Sequence, residues 1–122
     1  MTPPIEKFCA ADAVVTELLG SGVNLRMYPF GLAPEGVVKP YAVWQMVSGS
    51  PENYLAGRPD ADGYTLQVDV YGTTSASARR VRDAIRDAIE LQAYVTRWGG
   101  ETMDPSTKNF RASFDVGWIV TR

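Results

Sequence analysis

The chain has 122 residues, enough for a single domain (residues 1–122) with a buried core. Its 12 basic and 14 acidic residues give a net charge of −2, which provides no strong attraction to nucleic acid or to an anionic membrane. It contains no histidine and one cysteine. This excludes Ser-His and Cys-His nucleophile pairs, histidine-ligated metal sites, zinc sites of several thiolates and an intramolecular disulfide. The composition favours a protein that binds or assembles.

The N-terminal residues show no basic segment followed by an apolar segment, so they do not resemble a secretory signal. No apolar run approaches the roughly 20 residues that a spanning helix needs. We therefore expect synthesis in the cytoplasm and no membrane partner.

The first predicted element is a helix over residues 3–19. Thr2 is a candidate N-cap, and Asp12 can restart the helix after an irregularity near Ala10 and Ala11. Gly20 and Gly22 are expected to end it. A short strand near 25–28 follows and stops at Pro29, because proline cannot donate a hydrogen bond to a neighbouring strand.

Three further strands and a helix account for most of the remaining chain. The strand over 41–47 has apolar residues on both faces, which predicts cover on both sides. In the strand over 64–71, Leu66 and Val68 lie on one face and Gln67 and Asp69 on the other. The helix over 75–91 carries an apolar stripe and the candidate ion pairs Arg79–Asp83 and Arg86–Glu90. Strands near 94–98, turning at Gly99-Gly100, and over 110–120 complete the order, with another turn at 104–108.

The order α-β-β-β-α-β-β predicts an α+β fold. We expect a mainly antiparallel sheet of about five strands with two helices packed on one face. The second helix separates the third and fourth strands, so one parallel crossover connection is possible.

Candidate chemistry is sparse. Residues 60–63 read Asp-Ala-Asp-Gly, but the glycine is fourth rather than sixth and the twelfth position is Tyr71, so a turn is favoured over a calcium loop. Asp69 and Asp115 are a possible acid–base pair if their strands are adjacent; a role on an uncovered sheet face is favoured. Cys9 lies on an apolar helix face and is expected to be a buried structural residue. We predict no catalytic residue, metal or cofactor.

The candidate interface residues fall in two groups. The outer face of the predicted sheet carries Gln67, Asp69 and Tyr71 on one strand and Arg111, Ser113 and Asp115 on another. The long connection over 48–63 carries Tyr54, Leu55 and Arg58. Tyrosine and arginine are common anchors of protein interfaces, so both groups are candidate contacts with other proteins.

Several short segments form an ordered set along the chain. They are Leu-Leu-Gly at 18–20, Arg-Met-Tyr-Pro-Phe-Gly at 26–31, Pro-Tyr-Ala-Val-Trp-Gln at 40–45, Ser-Gly-Ser-Pro-Glu-Asn-Tyr-Leu at 48–55, Pro-Asp at 59–60, Gln-Val-Asp-Val-Tyr at 67–71 and Phe-Arg-Ala-Ser-Phe-Asp-Val at 110–116. An Ala/Arg-rich helix lies between the last two. This ordered set resembles the tail-completion protein family of long-tailed bacteriophages and prophages, a group related to the tail terminators, and the resemblance extends over nearly the full length.

The resemblance implies a structural protein of the virion. Members form rings, commonly hexameric, at the head-proximal end of the tail tube, where they terminate the tail and help join it to the head. The implied partners are further copies of the chain, the tail tube protein and head–tail connector proteins. No catalytic residues are carried over, and no sequence-specific binding of nucleic acid is expected.

Two alternatives remain at this stage. One is a head-side connector, adaptor or minor capsid protein, which follows the same assembly logic. The other is a small ligand-binding or enzymatic α+β dimer that uses Asp69 and Asp115, because fold alone does not determine function.

Overall fold

The computed structural model describes residues 2–51 and 61–122. Three α-helices, a 3-10 turn and five strands follow one another along these residues. They are α1 (Ile5–Ala10), α2 (Ala13–Leu19), the turn (Gly22–Asn24), β1 (Met27–Pro29), β2 (Tyr41–Pro51), β3 (Ala61–Gly72), α3 (Ser75–Ile89), β4 (Ala93–Met103) and β5 (Phe110–Thr121). The predicted α+β class is confirmed.

The predicted first helix is two helices separated at Ala11 and Asp12. The Asp12 carboxylate accepts hydrogen bonds from the backbone N–H groups of Val14 and Val15, both at 3.0 Å, and so caps α2. Thr2 was wrongly predicted as a cap, because α1 has Pro4 at its N-cap position and no capping side chain. Gly20 ends α2 with a φ of 91°, a left-handed conformation that favours glycine.

The five strands form one sheet in the order β1-β2-β3-β5-β4. Every pairing is antiparallel except the pairing of β1 with β2. Because β5 lies between β3 and β4, the β3-α3-β4 connection joins two parallel strands that are not neighbours. The Arg26 guanidinium joins the β1–β2 edge to α2, since it donates to the carbonyl oxygens of Leu18 at 3.0 Å and Pro40 at 2.9 Å.

The core lies between the three helices and one face of the sheet. Leu66, Val68 and Val70 of β3 are fully buried, as the predicted alternation requires. The helices contribute a set of buried apolar residues: Ile5, Cys9, Val15, Leu19, Val81, Ile85 and Ile89. Along β5 the same face is formed by Ala112, Phe114, Val116 and Trp118.

β2 differs from the prediction in length and in cover. It continues to Pro51, with a register shift between Met46 and Ser48. Helices pack on the face that carries Ala42, whereas no helix of the described chain packs on the face that carries Val43. Val43 is half-buried among its strand neighbours, so cover on both sides is not required to explain its apolar character.

β4 also extends further than predicted. Gly99-Gly100 is not a turn but lies within β4, at a register shift between Trp98 and Glu101. The strand ends at Met103, and the predicted turn beginning at Asp104 then leads into β5. Asp104 organises that turn, because its carboxylate accepts from the Ser106 backbone N–H at 2.9 Å and from the Ser106 hydroxyl at 2.8 Å.

Candidate assembly interface

The sheet face that points away from the helices is called the open face below. The structure brings the predicted β3 and β5 residues together on it. Gln67 is opposite Asp115, Asp69 is opposite Ser113, and Tyr71 is opposite Arg111. Because opposite residues of paired strands point to the same side of a sheet, these six side chains form one continuous surface.

A hydrogen-bonded cluster is centred on Asp69. The Arg111 Nε atom lies 3.3 Å from the Asp69 Oδ1 atom, and the Gln67 amide donates to the same oxygen at 3.2 Å. The Asp69 side chain is only 12% exposed, whereas that of Arg111 is 42% exposed. The acid is therefore held within the surface, and part of its basic partner remains available to another molecule.

Asp115 has a different partner. The Arg97 Nη1 atom of β4 lies 3.4 Å from the Asp115 Oδ2 atom, and the Arg97 side chain is 70% exposed. Asp69 and Asp115 are diagonal neighbours, and each carboxylate interacts with its own arginine. No cavity described among residues 2–51 and 61–122 is lined by both acids. The described residues thus give no positive support to the enzymatic alternative.

A tyrosine stack borders the charged cluster. The rings of Tyr41 on β2 and Tyr71 on β3 are nearly parallel, with centroids 4.9 Å apart. Burial raises the pKa of both phenols, and the Asp69 carboxylate raises the pKa of Tyr71 further. Both phenols are thus neutral near pH 7 and provide amphipathic surface suited to a protein contact.

Three open-face residues were missed by sequence reasoning: Tyr41, Arg97 and Tyr94. Tyr41 has the same parity as Val43 in β2, so alternation could have assigned it to this face. Arg97 follows a register shift between Val95 and Arg97 that no sequence pattern marks. Tyr94 covers Gly117, since a Cβ atom on that glycine would lie 2.5 Å from the tyrosine ring.

The predicted loop residues Tyr54, Leu55 and Arg58 lie outside the described residues, as does Asp60. The described neighbour Asp62 is held by Arg122, whose Nη2 atom lies 2.8 Å from the Asp62 Oδ1 atom. This hydrogen bond lowers the pKa of the Asp62 carboxyl. Within residues 2–51 and 61–122 no cluster of three potential metal-binding side chains occurs.

Cys9 is fully buried between α1 and the sheet. Burial, with smaller contributions from Asp12 and Glu6, raises the pKa of its thiol to about 12. This environment disfavours a reactive thiolate at neutral pH, and the burial predicted for Cys9 is confirmed.

The arginines of α3 interact with acids and with β4. The predicted Arg79–Asp83 ion pair is wrong, because the Arg79 Nε atom lies 2.6 Å from the Oε1 atom of Glu101 on β4. The predicted Arg86–Glu90 pair is present at 3.9 Å. The guanidinium groups of Arg82 and Arg86 also lie over the Trp98 ring, at 5.1 and 5.9 Å from its centroid. Three of the four arginines of α3, namely Arg79, Arg82 and Arg86, are therefore paired with acids, and this neutralisation favours the interpretation of α3 as a solvated or protein-contacting helix rather than a phosphate-binding one.

No helix in the described part of the chain combines the length and apolar character needed to cross a bilayer.

A family of phage structural proteins matches nearly the whole chain. The family model described as tail completion protein gp17 matches residues 4–121. The chain therefore belongs to this tail completion family, and it is a structural protein of phage tails. No curated protein sequence matches it.

A solved structure has a similar fold. It is a chain of the virion of a native gene transfer agent particle, with a TM-score of 0.67 and 13% sequence identity. The similarity covers 97% of this chain and 92% of the other chain. At this identity the comparison establishes the shared fold.

Proposed function

We propose that this protein forms a closed ring at the head-proximal end of the tail tube, where it terminates the tail and helps join it to the head. Membership of the tail completion family supports this role. The structural observation that carries it is the open face, where a charged cluster and stacked tyrosines lie and no helix of the described residues covers them. The role is structural and requires no catalytic group.

The open face is proposed to contact another protein of the tail. Its candidate contact residues are Gln67, Asp69, Tyr71, Arg111 and Asp115. The aromatic rings supply contact area with few rotatable bonds, and the arginines supply directional hydrogen bonds. Since Arg111 already binds Asp69, the contact begins from an ordered surface and loses less side-chain entropy on association.

The connection between β2 and β3 is proposed as a second contact region. Tyr54, Leu55 and Arg58 lie in it, and its flanking residues Pro51 and Ala61 belong to paired strands. Deletion of residues 52–59 should block tail joining while the isolated protein keeps its thermal unfolding midpoint. Wild-type yields of intact virions from this variant would contradict the proposal for this region.

The ring itself can be tested by native mass spectrometry and negative-stain microscopy of the purified protein over a range of concentrations, with and without tail tubes. Closed rings of about six subunits are the expectation that the family resemblance implies, and such a ring requires a heterologous contact that repeats by rotation. A protein that remains monomeric even in the presence of tubes would contradict ring formation.

The position of the ring can be tested by removing the gene and imaging the particles. Loss of a terminator should give tails of irregular length that carry no heads. Tails of normal length that lack heads would contradict the terminating role and assign the protein to a later joining step.

A further inference from the structure

The acids and the bases of the open face differ in exposure. The side chains of Asp69 and Asp115 are 12% and 19% exposed, whereas those of their partners Arg111 and Arg97 are 42% and 70% exposed. Each carboxylate is therefore largely shielded by its surroundings, while much of each guanidinium-bearing side chain is in contact with solvent. A molecule that approaches the open face meets the basic end of each ion pair first.

The carboxylate oxygens of this face accept hydrogen bonds within the chain. Both Asp69 oxygens accept from the Gln67 amide, at 3.2 and 3.3 Å, and Oδ1 also contacts Arg111. Asp104, which lines the same cleft as Arg111, accepts from the Ser106 backbone N–H and hydroxyl. A cationic partner would have to compete with these bonds.

The arginines, in contrast, keep donors for a partner. The contact of Arg111 with Asp69 is made through Nε, and within residues 2–51 and 61–122 its two Nη groups make no hydrogen bond. Arg97 donates to Asp115 through Nη1, at the long distance of 3.4 Å. Guanidinium groups bind carboxylates particularly well, because two parallel N–H groups match the two oxygens. The hydrogen-bonding groups that this face offers are therefore donors suited to carboxylates.

Small residues lie between the two arginines. Arg97 is opposite Asp115, which is four residues from Arg111 on the same strand, a separation of about 13 Å along β5. Ser113 lies midway on this face, and Gly99 of β4 packs closely against it. Neither residue carries a long side chain. The open face thus has one basic group on either side of a low, uncharged strip.

We propose that the open face binds an acidic protein segment, whose carboxylates meet Arg97 and Arg111. The inference rests on the proposed contact between the open face and another protein of the tail, and it adds the chemistry of that partner. DNA fits this face less well, because Asp69 and Asp115 balance the two arginines and leave no excess positive charge to attract a polyanion. A protein segment also uses the stacked tyrosines as contact area.

A second copy of the chain is not the favoured source of this segment. The acids of its α3 and β4 each lie within 3.9 Å of an arginine of their own chain: Asp83, Asp87, Glu90 and Glu101. They are therefore already paired and less suited to meet the arginines of a neighbour. The expected source is a different structural protein of the particle.

Photo-cross-linking in purified tails and virions identifies the partner. We place p-benzoylphenylalanine at Thr102, which is exposed and lies opposite Arg111. Mass spectrometry should find it joined to an Asp- or Glu-containing segment of another structural protein. Cross-links to a second copy of this chain, to DNA or to a segment without acidic residues would each overturn the inference. Particles that contain the variant but give no cross-link would also overturn it.

Neutralisation of the arginines measures the contribution of charge. Tails and heads are purified separately from a strain that lacks the gene, and binding of the purified protein is measured by co-sedimentation. Arg97→Gln and Arg111→Gln should each weaken binding about tenfold, as expected when a hydrogen bond between charged groups is lost. Arg80→Gln is the matched control, because it makes the same change in net charge at an exposed position of α3 and should bind like wild type.

The outcomes separate this inference from the proposed function. Arg111→Gln also removes the partner of Asp69, so its thermal unfolding is measured, whereas Arg97 is so exposed that its replacement should leave folding unchanged. Binding of Arg97→Gln at the level of Arg80→Gln would overturn the inference and leave the proposed function standing. A wild-type protein that binds neither tails nor heads would instead contradict the proposed function.

Discussion

The Nε atom of Arg111 on β5 lies 3.3 Å from the Oδ1 atom of Asp69 on β3, and this ion pair is the centre of the open face. Asp69→Asn should lower the free energy of unfolding by about 1 kcal/mol, which is the upper end of the range of contributions that exposed ion pairs make. It also weakens the acceptor that Gln67 binds. Urea unfolding monitored by circular dichroism measures the change. Asp115→Asn is the control, and its effect should be smaller because Arg97 is 70% exposed; equal losses would contradict this account.

Two adjacent glycines in β4 provide a matched pair of substitutions. A Cβ atom on Gly99 would lie 2.9 Å from the backbone oxygen of Ser113, which cannot move without shifting β5. Gly99→Ala should therefore destabilise the protein by about 1–3 kcal/mol, as overpacking does. A Cβ atom on Gly100 meets nothing within 4 Å, so Gly100→Ala should change stability by less than about 0.5 kcal/mol. Chemical denaturation should separate the two variants clearly, and similar stabilities would refute the predicted close contact.

The helix break before α2 predicts a capping effect. Asp12→Ala removes the acceptor of two backbone hydrogen bonds and should cost about 1 kcal/mol. Thr2→Ala is the control, because Thr2 does not cap α1 and its replacement should be neutral. Thermal unfolding should show a lower midpoint for the first variant alone. A comparable fall in the unfolding midpoint for Thr2→Ala would mean that Thr2 stabilises α1 after all.

Cys9 should resist thiol reagents in the folded protein and react only after unfolding. Because the folded pKa of the Cys9 thiol, about 12, exceeds the ordinary thiol value of 9.0, the unfolded state loses the proton first as pH rises. The protonated Cys9 thiol therefore makes its full contribution to the free energy of unfolding below pH 9. That contribution declines between about pH 9 and 12, by up to ~1.4 kcal/mol per pH unit.

The raised pKa values of the half-buried Tyr41 and Tyr71 also make stability fall as pH rises, so the comparison is made with Cys9→Ala, which retains both tyrosines. The stability difference between wild type and Cys9→Ala should narrow as pH rises above 9. A difference that stays constant to pH 11 would show that the thiol does not titrate differently in the two states.

The open face was largely predictable because β3 and β5 alternate strictly. Once Leu66 and Val68 were assigned to the core, Gln67 and Asp69 had to lie on the other side. The adjacency of these residues to Arg111 was not predictable, since it depends on the pairing of β3 with β5 rather than with β4.

The errors arose where tertiary contacts changed a local rule. Arg79 was assigned to Asp83 by helix spacing, but Glu101 approaches from β4 and binds it instead. Gly99-Gly100 has the composition of a turn, yet the strand continues through it because Gly99 fits closely against Ser113. Arg97 was missed because an irregular strand does not keep a period of two.

The place of β5 between β3 and β4 has a consequence for folding. Asp62 and Arg122, which are joined across the β3–β5 pair, are 60 residues apart in the chain. Pairings of such large sequence separation form slowly, because closing a long loop costs entropy before contacts are gained. Until β5 has been made, one edge of β3 lacks its native partner and Leu66, Val68 and Val70 lack part of their cover. The newly synthesised chain is therefore most prone to aggregate just before its last strand is added.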